Sequence, residues 1–440
     1  MNPFVSGAIW LSFYLGIVLA PVAILLIAPT PPGGGFWWDV SMGLGFAGLT
    51  MMAVQFVLTA RFKRATAPFG IDVIYAFHRY LAYALLAIIL LHPLILVLRD
   101  PAQLSAIITP WNAPLEVSAG TASLFLLLVI VGTSAFRKPL RIPYEGWRAT
   151  HLFLSIGALG FAFYHLWGVS YYTEATAVRG LWMLIGFSIG AVVFYVRLLR
   201  PWRLLHRPFR VVEVRPELAD CWTLVVEPVG HDGFSFEPGQ FAWLTVDRSP
   251  FFMQEHPFSI ASAPDPAGGL EFVIKELGDF TSTVGQIPPG TVAYADGPYG
   301  SFSIDRHPEA AGYVFLAGGI GIAPMMSMLR TLADRGDERP HLVFTGHSTW
   351  DRVPLREELA ALPEKLNVEV VHVLEEPPDD WDGEEGWVTR ELLDRYLPAE
   401  RGDFHYFICG PVPMIRAMEA FLKELDIAPG QVHTELFDMV

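Results

Sequence analysis

Four histidines lie inside apolar stretches of this 440-residue chain, His78 and His92 in one stretch, His151 and His165 in another. Both pairs are separated by 14 residues. On an α-helix, fourteen steps of about 100° fall about 40° short of four turns, so each pair shares one helix face, with a rise of about 21 Å. The two stretches are the third and fifth of their kind, so their helices run in the same direction. That sets His78 level with His151 and His92 level with His165. Two imidazoles facing each other at one depth can ligate an iron from both sides, and two such levels make two haem sites, one near each leaflet. A lone intramembrane histidine is more often a packing residue or a member of a proton relay, although ionisable residues in spans are usually functional. The repeat of one spacing on two stretches favours bis-histidine haem. Another metal would need carboxylates or thiolates at the same depth, and these stretches hold none. Arg79, beside His78, either pairs with a haem propionate or reaches to the inner interface.

The elements that must position these side chains are six apolar runs, at about 8–28, 40–60, 73–98, 119–136, 151–170 and 180–196, each long enough to span a bilayer as a helix. The segment before the first run has no Lys or Arg, which favours a retained span over a cleaved signal peptide. Arg61, Lys63 and Arg64 follow the second run. Arg137, Lys138, Arg141 and Arg148 lie between the fourth and fifth, and Arg197, Arg200, Arg203, Arg207 and Arg210 follow the sixth. The alternate loops hold only Arg99 and Arg179, together with Trp37, Trp38 and Trp111 as interfacial anchors. By the positive-inside rule both termini are expected to be cytoplasmic.

Charge divides the chain. Residues 1–205 carry 13 Lys+Arg against 6 Asp+Glu, a net +7; residues 206–440 carry 17 against 39, a net −22. The acidic half repels polyanions, which argues against a nucleic-acid partner. The only cysteines, Cys221 and Cys409, lie far apart, so neither a disulfide framework nor a cysteine metal site is expected, as suits a reducing compartment. After the linker at 200–210, short β-rich runs at 211–214, 222–227, 240–246 and 270–275 alternate with turn clusters at 237–240 and 267–269, the pattern of a small antiparallel barrel. Beyond Gly312, strands (313–317, 341–345, 368–373, 405–408) alternate with helices (324–335, 356–362, 390–396, 412–425), the pattern of a doubly wound α/β domain with a parallel sheet. The acidic run 379–385 looks calcium-like but lacks the EF-hand spacing and terminal Glu, and reads as a solvated loop.

Three strings carry a specific resemblance. His256-Pro-Phe-Ser259 ends a strand of the barrel. Gly318-Gly-Ile-Gly-Ile-Ala-Pro324 joins a buried strand to a helix, with Pro where a dinucleotide fingerprint has Gly. Cys409-Gly-Pro411 ends a later strand. Residues 206–440 resemble the ferredoxin-reductase superfamily of FAD/NAD(P)H flavoproteins, in the branch fused to a haem membrane domain. That branch holds the NADPH oxidases and ferric reductases, and the histidine spacing matches it. The resemblance implies a six-helix haem domain at 1–205, an FAD-binding barrel at 206–308 and an NAD(P)H-binding α/β domain at 309–440.

For FAD the resemblance implies contacts from His256, Pro257, Phe258, Ser259 (to flavin N5), Lys275 and the segment Gly278, Thr281, Ser282. Phe437 would cover the ring. For NAD(P)H it implies Gly318, Gly319, Gly321, Pro324, Ser348, Arg352, Cys409, Gly410 and Pro411, with Ser348 and Arg352 at the 2′-phosphate. Plain structural readings stand beside these. Cys409 can be a small buried residue at a strand end, Arg352 a surface residue paired with Asp351, and Phe437 packing for the tail. Asp296-Gly-Pro-Tyr-Gly300 closes the barrel in the family pattern and by itself is a turn.

The implied activity is electron transfer from NAD(P)H through FAD and two b-type haems to a small acceptor across the membrane, with Ser259, Cys409 and Phe437 nearest the hydride. Dioxygen is favoured as acceptor because no iron-binding cluster stands in the outer loops; ferric chelate is the alternative. A donor of electrons to a periplasmic partner and a channel without haem are the contrasting classes. Membrane lipid is the expected surroundings, and no regulatory subunit is expected.

Overall fold

The computed structural model describes residues 3–28, 31–62 and 70–436. The chain divides into two units, 1–62 with 73–200, and 63–72 with 201–440.

Among the described residues, the first unit contains six helices long and apolar enough to cross a membrane: α1 (Pro3–Ile27), α2 (Phe36–Leu58), α3 (Ile71–Arg99), α4 (Leu115–Ala135), α5 (Tyr144–Val169) and α6 (Thr176–Phe194). The fifth begins seven residues earlier than hydropathy suggests. Pro143 precedes its first turn, where Pro fixes φ at no cost in hydrogen bonding, and Glu145 and Arg148 in its opening turns mask the helix in an apolar count. The sixth runs on through a π-helical turn, Tyr195–Leu199, into a short helix, Arg200–Leu205. Fully buried Trp182 joins α6 to α2 and α5 by ring contacts with Phe46 and Phe163. The Ser123 hydroxyl donates to the Ala158 carbonyl (2.8 Å), tying α4 to α5. Interhelical bonds of this kind stand in for the hydrophobic driving force that lipid removes.

In the second unit, β1 (Phe209–Glu217), β2 (Cys221–Pro228), β3 (Phe241–Val246), β4 (His256–Ser259), β5 (Leu270–Lys275) and β6 (Val292–Tyr299) form an antiparallel sheet in the order β4-β3-β6-β1-β2-β5. An antiparallel bridge between Ile260 and Phe272 joins the two edges, so the sheet curls into a barrel. Asp296–Tyr299 lies in β6, paired with β3, so this segment is strand, where its composition alone reads as a turn.

A second sheet is parallel throughout: β7 (Tyr313–Gly318), β8 (His341–His347), β9 (Val368–Leu374), β10 (Glu384–Glu385), β11 (His405–Cys409) and β12 (Val432–Glu435) in the order β10-β9-β8-β7-β11-β12. Its helices are α7 (Ile322–Asp334), α8 (Arg356–Ala361), α9 (Arg390–Tyr396) and α10 (Val412–Glu424). The end of the acidic run 379–385 is strand β10, not solvated loop; Glu384 there accepts from Arg395 and Tyr396. The strand order reverses between β7 and β11, and in open parallel sheets the crevice at such a switch point, beyond the carboxyl ends of the strands, is where ligands bind.

Candidate redox sites

The paired histidines meet in space. His78 faces His151 and His92 faces His165, each with ring centroids 6.4 Å apart. An ion with an imidazole nitrogen about 2 Å away on each of two opposite sides puts the ring centroids roughly 6 Å apart, so both separations fit one metal ion shared by two rings.

Hydrogen bonds then decide which nitrogen is left over. His92 Nδ1 lies 2.8 Å from the Ser41 carbonyl and His165 Nδ1 lies 2.8 Å from the Glu116 carbonyl. A carbonyl can only accept, so both rings carry the proton on Nδ1 and present the Nε2 lone pair. His151 follows by one further step. The Ser134 hydroxyl donates to the Ile130 carbonyl (2.6 Å) and therefore accepts from Trp147 Nε1 (3.3 Å) and from His151 Nδ1 (3.2 Å). Backbone carbonyls and hydroxyls that fix the tautomer in this way are the outer shell that metal-bound histidines need. His78 differs: its Nδ1 is buried without a hydrogen-bond partner among the described residues.

The His92–His165 pair lies at a cavity of about 180 Å³ lined by apolar side chains such as Phe46, Leu49, Met52, Ile89 and Leu124. Glycines make room for both rings. A Cβ on Gly120 would stand 2.8 Å from His165 Nδ1, and one on Gly45 would stand 3.3 Å from His92. Apolar walls, two aligned imidazoles and missing side chains against the rings all suit a porphyrin. Sequence reasoning found the four histidines and missed Ser41, Gly45, Glu116, Gly120 and Ser134. These act through carbonyls, a hydroxyl and an absent Cβ, for which residue type gives no signal. Arg79 is exposed, its guanidinium over the Tyr80 ring (5.8 Å).

In the barrel, Ser259 ends β4 opposite Phe241. Its hydroxyl is buried and without a hydrogen-bond partner among the described residues, a state that costs about 1–3 kcal/mol unless a ligand fills it. The His256 ring stacks on Phe280 (4.4 Å, 7°), and Phe258 lies 6.1 Å from Phe280, so β4 and the segment beginning at Gly278 share one aromatic face. Pro257, between those rings, pairs with Trp243. Lys275 pairs with Cys221 at the end of the β2–β5 ladder. The Gly278 segment offers fewer backbone donors than expected. Thr281 Oγ1 accepts from both Leu277 N and Gly278 N (2.8 Å each), while Ser282 N donates to the Gly278 carbonyl. The helix after them is a 3-10 turn, Thr281–Gln286.

At the switch point the loops after β7 and β11 touch backbone to backbone. A Cβ on Gly318 would meet Met414 and Pro411, one on Gly321 would strike the Cys409 carbonyl, and one on Gly410 would stand 3.0 Å from Gly318. Gly319 has φ +55°, a conformation glycine adopts without strain. Pro324 sits in the first turn of α7, which starts at Ile322. This leaves a helix N-terminus behind bare backbone, an arrangement that receives phosphate. Cys409 is fully buried beside Glu435, its ladder partner on β12; burial, and then the Glu435 charge, push its thiol well above the usual range. Such a thiol stays neutral and is no nucleophile.

Arg352 pairs with Asp220 of the barrel (2.9 Å), not with Asp351, which lies near Arg356. Ser348 is half-buried and accepts Glu376 N on its carbonyl. Phe437 lies outside the described residues.

Three further residues escaped sequence reasoning. Arg330 on α7 reaches Glu271 (2.7 Å) and the Ala261 carbonyl (2.8 Å) of the barrel and Glu358 (2.6 Å) of α8. Ser327 accepts from Gly239 N and donates to the Ser262 carbonyl. Together they tie α7 to the barrel. His347, at the end of β8, is buried with Nε2 unpartnered among the described residues; burial, followed by the charge of His372, pushes its pKa down to about 4.

Compared with known proteins, residues 44–163 match the ferric reductase like transmembrane component, 225–303 an FAD-binding domain and 315–420 the oxidoreductase NAD-binding domain. The chain has the NADPH oxidase/ferric reductase architecture. It is therefore an integral membrane protein built from the parts of an oxidoreductase. Curated relatives are similar to part of the chain. The reductase component of propane 2-monooxygenase from Mycolicibacterium goodii is 31% identical over 237 residues, 52% of this chain and 66% of that one. NADH–cytochrome b5 reductase 1 from Arabidopsis thaliana is 31% identical over 181 residues, 39% of this chain and 63% of that one. The chain thus spans just under two thirds of these relatives. Among solved structures, the flavohemoglobin of Malassezia yamatoensis with bound FAD and heme is 17% identical at a TM-score of 0.50, over 90% of this chain and 96% of that one, a likeness of fold alone.

Proposed function

We propose that this chain carries electrons from NAD(P)H on the cytoplasmic side through FAD and two b-type haems to dioxygen on the opposite side, forming superoxide. The observation that carries this reading is the equal 6.4 Å separation of two histidine pairs on the same two helices, in a chain that also holds an FAD- and NAD-binding module. Bound FAD would turn a two-electron donor into single-electron steps, and haem iron would carry those electrons onward. The chain's own residues do the positioning. His78 with His151, and His92 with His165, would hold the irons at two depths about 21 Å apart, with Ser41, Glu116 and Ser134 fixing the rings. Ser259 would give its unpartnered hydroxyl to the flavin, with His256, Pro257 and Phe258 alongside and Lys275 and Ser282 toward the pyrophosphate. Gly318, Gly319, Gly321 and Pro324 would admit the NAD(P)H pyrophosphate, and Cys409, Gly410 and Pro411 would border the nicotinamide.

We assign residues 1–205 to the haem domain, 206–308 to the FAD domain and 309–440 to the NAD(P)H domain, with both termini cytoplasmic by the distribution of Lys and Arg. NADPH is the expected donor, with Ser348 and Arg352 at its 2′-phosphate; for that Arg352 must leave Asp220. The ferric reductase description of the matched membrane segment supports a second acceptor, chelated ferric iron. Purified protein reduced by NADPH, with the haem bands followed first under oxygen and then with ferric chelate, tests both readings. Reoxidation by oxygen with superoxide formed supports the oxidase. Background oxygen consumption with brisk ferric reduction supports the reductase, and haem bands that never reduce overturn the electron path.

A further inference from the structure

His307, His405 and His433 come from three separate segments of the soluble unit. His307 follows the last turn of the barrel domain, His405 opens β11 and His433 lies on β12. Their nearest ring nitrogens all lie within 4.8 Å of one another. His405 Nδ1 and His433 Nε2 share a hydrogen bond of 2.9 Å in nearly coplanar rings, and His307 stacks over both, 4.4 and 4.0 Å away. None of the three is among the residues named above for the nucleotide crevice. His405 begins a strand whose other end, four residues on, is Cys409, about 13 Å away.

We propose that these three imidazoles form a binding site for a divalent transition-metal ion of the zinc class. Zinc takes imidazole nitrogens at about 2.0–2.1 Å in tetrahedral array, which sets ligand nitrogens roughly 3.3 Å apart. To reach that spacing the His405–His433 contact must give up its shared proton and open by about 0.4 Å, and His307 must turn its ring and bring a nitrogen in by up to about 1.5 Å. Three nitrogen donors without thiolate, with one position left for water, make a recognised zinc set, and imidazole suits zinc among divalent ions. All three rings are half-buried. The exposed carboxylate of Glu309 acts on His307 and His405 and adds negative charge at the rim.

Bound there, the ion fastens the connection between the two soluble domains to β11 and β12. Glu435 on β12 stands beside both Cys409 and Gly300 of the barrel, so the site staples the strand that borders the NAD(P)H crevice.

The test is zinc content per chain, by elemental analysis, of the full-length flavin- and haem-loaded protein dialysed against ZnCl₂ and then against metal-free buffer. Wild type is expected to retain one zinc more per chain than either His307→Ala or His433→Gln. Zinc should also raise the temperature of flavin release in wild type but in neither variant. Flavin content equal to wild type identifies a folded variant, and two variants on separate segments guard against the failure of one. Equal zinc retention in wild type and a folded variant would overturn the site.

Discussion

Gly120→Ala should loosen one haem and leave the other in place. The new Cβ would stand 2.8 Å from His165 Nδ1 and 3.0 Å from two ring carbons, where comfortable contact begins near 3.5 Å. The ring must therefore retreat by roughly 0.6 Å. Its Nδ1–Glu116 bond of 2.8 Å would stretch to roughly 3.4 Å, beyond the useful range for N–H···O. Losing such an outer-shell partner costs about 10–100-fold in metal affinity, or about 1.4–2.8 kcal/mol. Backbone propensity works the other way, since Ala favours helix over Gly by about 1 kcal/mol, so haem loss would not be a by-product of a weakened helix. Two further glycines grade the effect: a Cβ on Gly45 would crowd His92 less closely (3.3 Å), and Gly132 on the same helix as Gly120 has nothing within 4 Å. The assay is haem release to an apo-haem acceptor, followed by absorbance. One of two haems should leave about 10–100-fold faster in Gly120→Ala, somewhat faster in Gly45→Ala, and at the wild-type rate in Gly132→Ala. Equal release from Gly120→Ala and Gly132→Ala would show that His165 does not hold a haem where the Glu116 carbonyl and Gly120 place it.

His78→Ala or His151→Ala should each remove one haem, and His92→Ala or His165→Ala the other, read as the haem-to-protein ratio; an unchanged low-spin spectrum in all four would end the ligand assignment. Ser259→Ala should slow flavin reduction or weaken FAD about 3–10-fold, the worth of one hydrogen bond, at constant haem content; unchanged rates would leave the hydroxyl without a flavin role. Arg352→Ala should raise KM for NADPH more than for NADH, and an equal change in both would remove it from the 2′-phosphate. Acid should weaken the soluble unit through His341 and His347, each buried and held near a pKa of about 4 against an ordinary 6.5, in both cases chiefly by burial. With the folded pKa depressed, the unfolded chain takes up the proton first, so stability is flat above pH 6.5 and falls between about 6.5 and 4, by up to about 3 kcal/mol per residue. The flavin-release temperature should drop over that interval, and less steeply in a His341→Gln/His347→Gln variant; parallel profiles would refute the cause.

Much of this molecule is legible in its residues because the relevant signals are periodic or compositional. Six apolar runs become helices because a bilayer leaves the backbone no other partner, and the equal spacing of the histidines places two of them at each of two depths whatever the packing details. Alternation of strands with helices after Gly312 dictates a parallel sheet, since only a crossover can return the chain in the same direction. Strands β6, β10 and β12 were harder to read. Asp296-Gly-Pro-Tyr and Glu384-Glu385 have the composition of turns, and they become strands by pairing with distant partners on β3 and β9.

The rest was decided by tertiary structure. Which ring nitrogen His92, His165 and His151 present depends on carbonyls of Ser41 and Glu116, 51 and 49 residues away from the first two in sequence, and on a serine whose own proton is already given elsewhere. Gly45 and Gly120 matter only because a particular imidazole lies against each. Arg352 found Asp220, 132 positions away, in place of its neighbour Asp351. His307, His405 and His433 share no spacing that a reader of the sequence would notice. A parallel ladder sets the last two side by side, and the fold of the connecting segment lays the first across them. Contacts of this kind are geometric coincidences of the folded chain, and residue type and spacing carry no record of them.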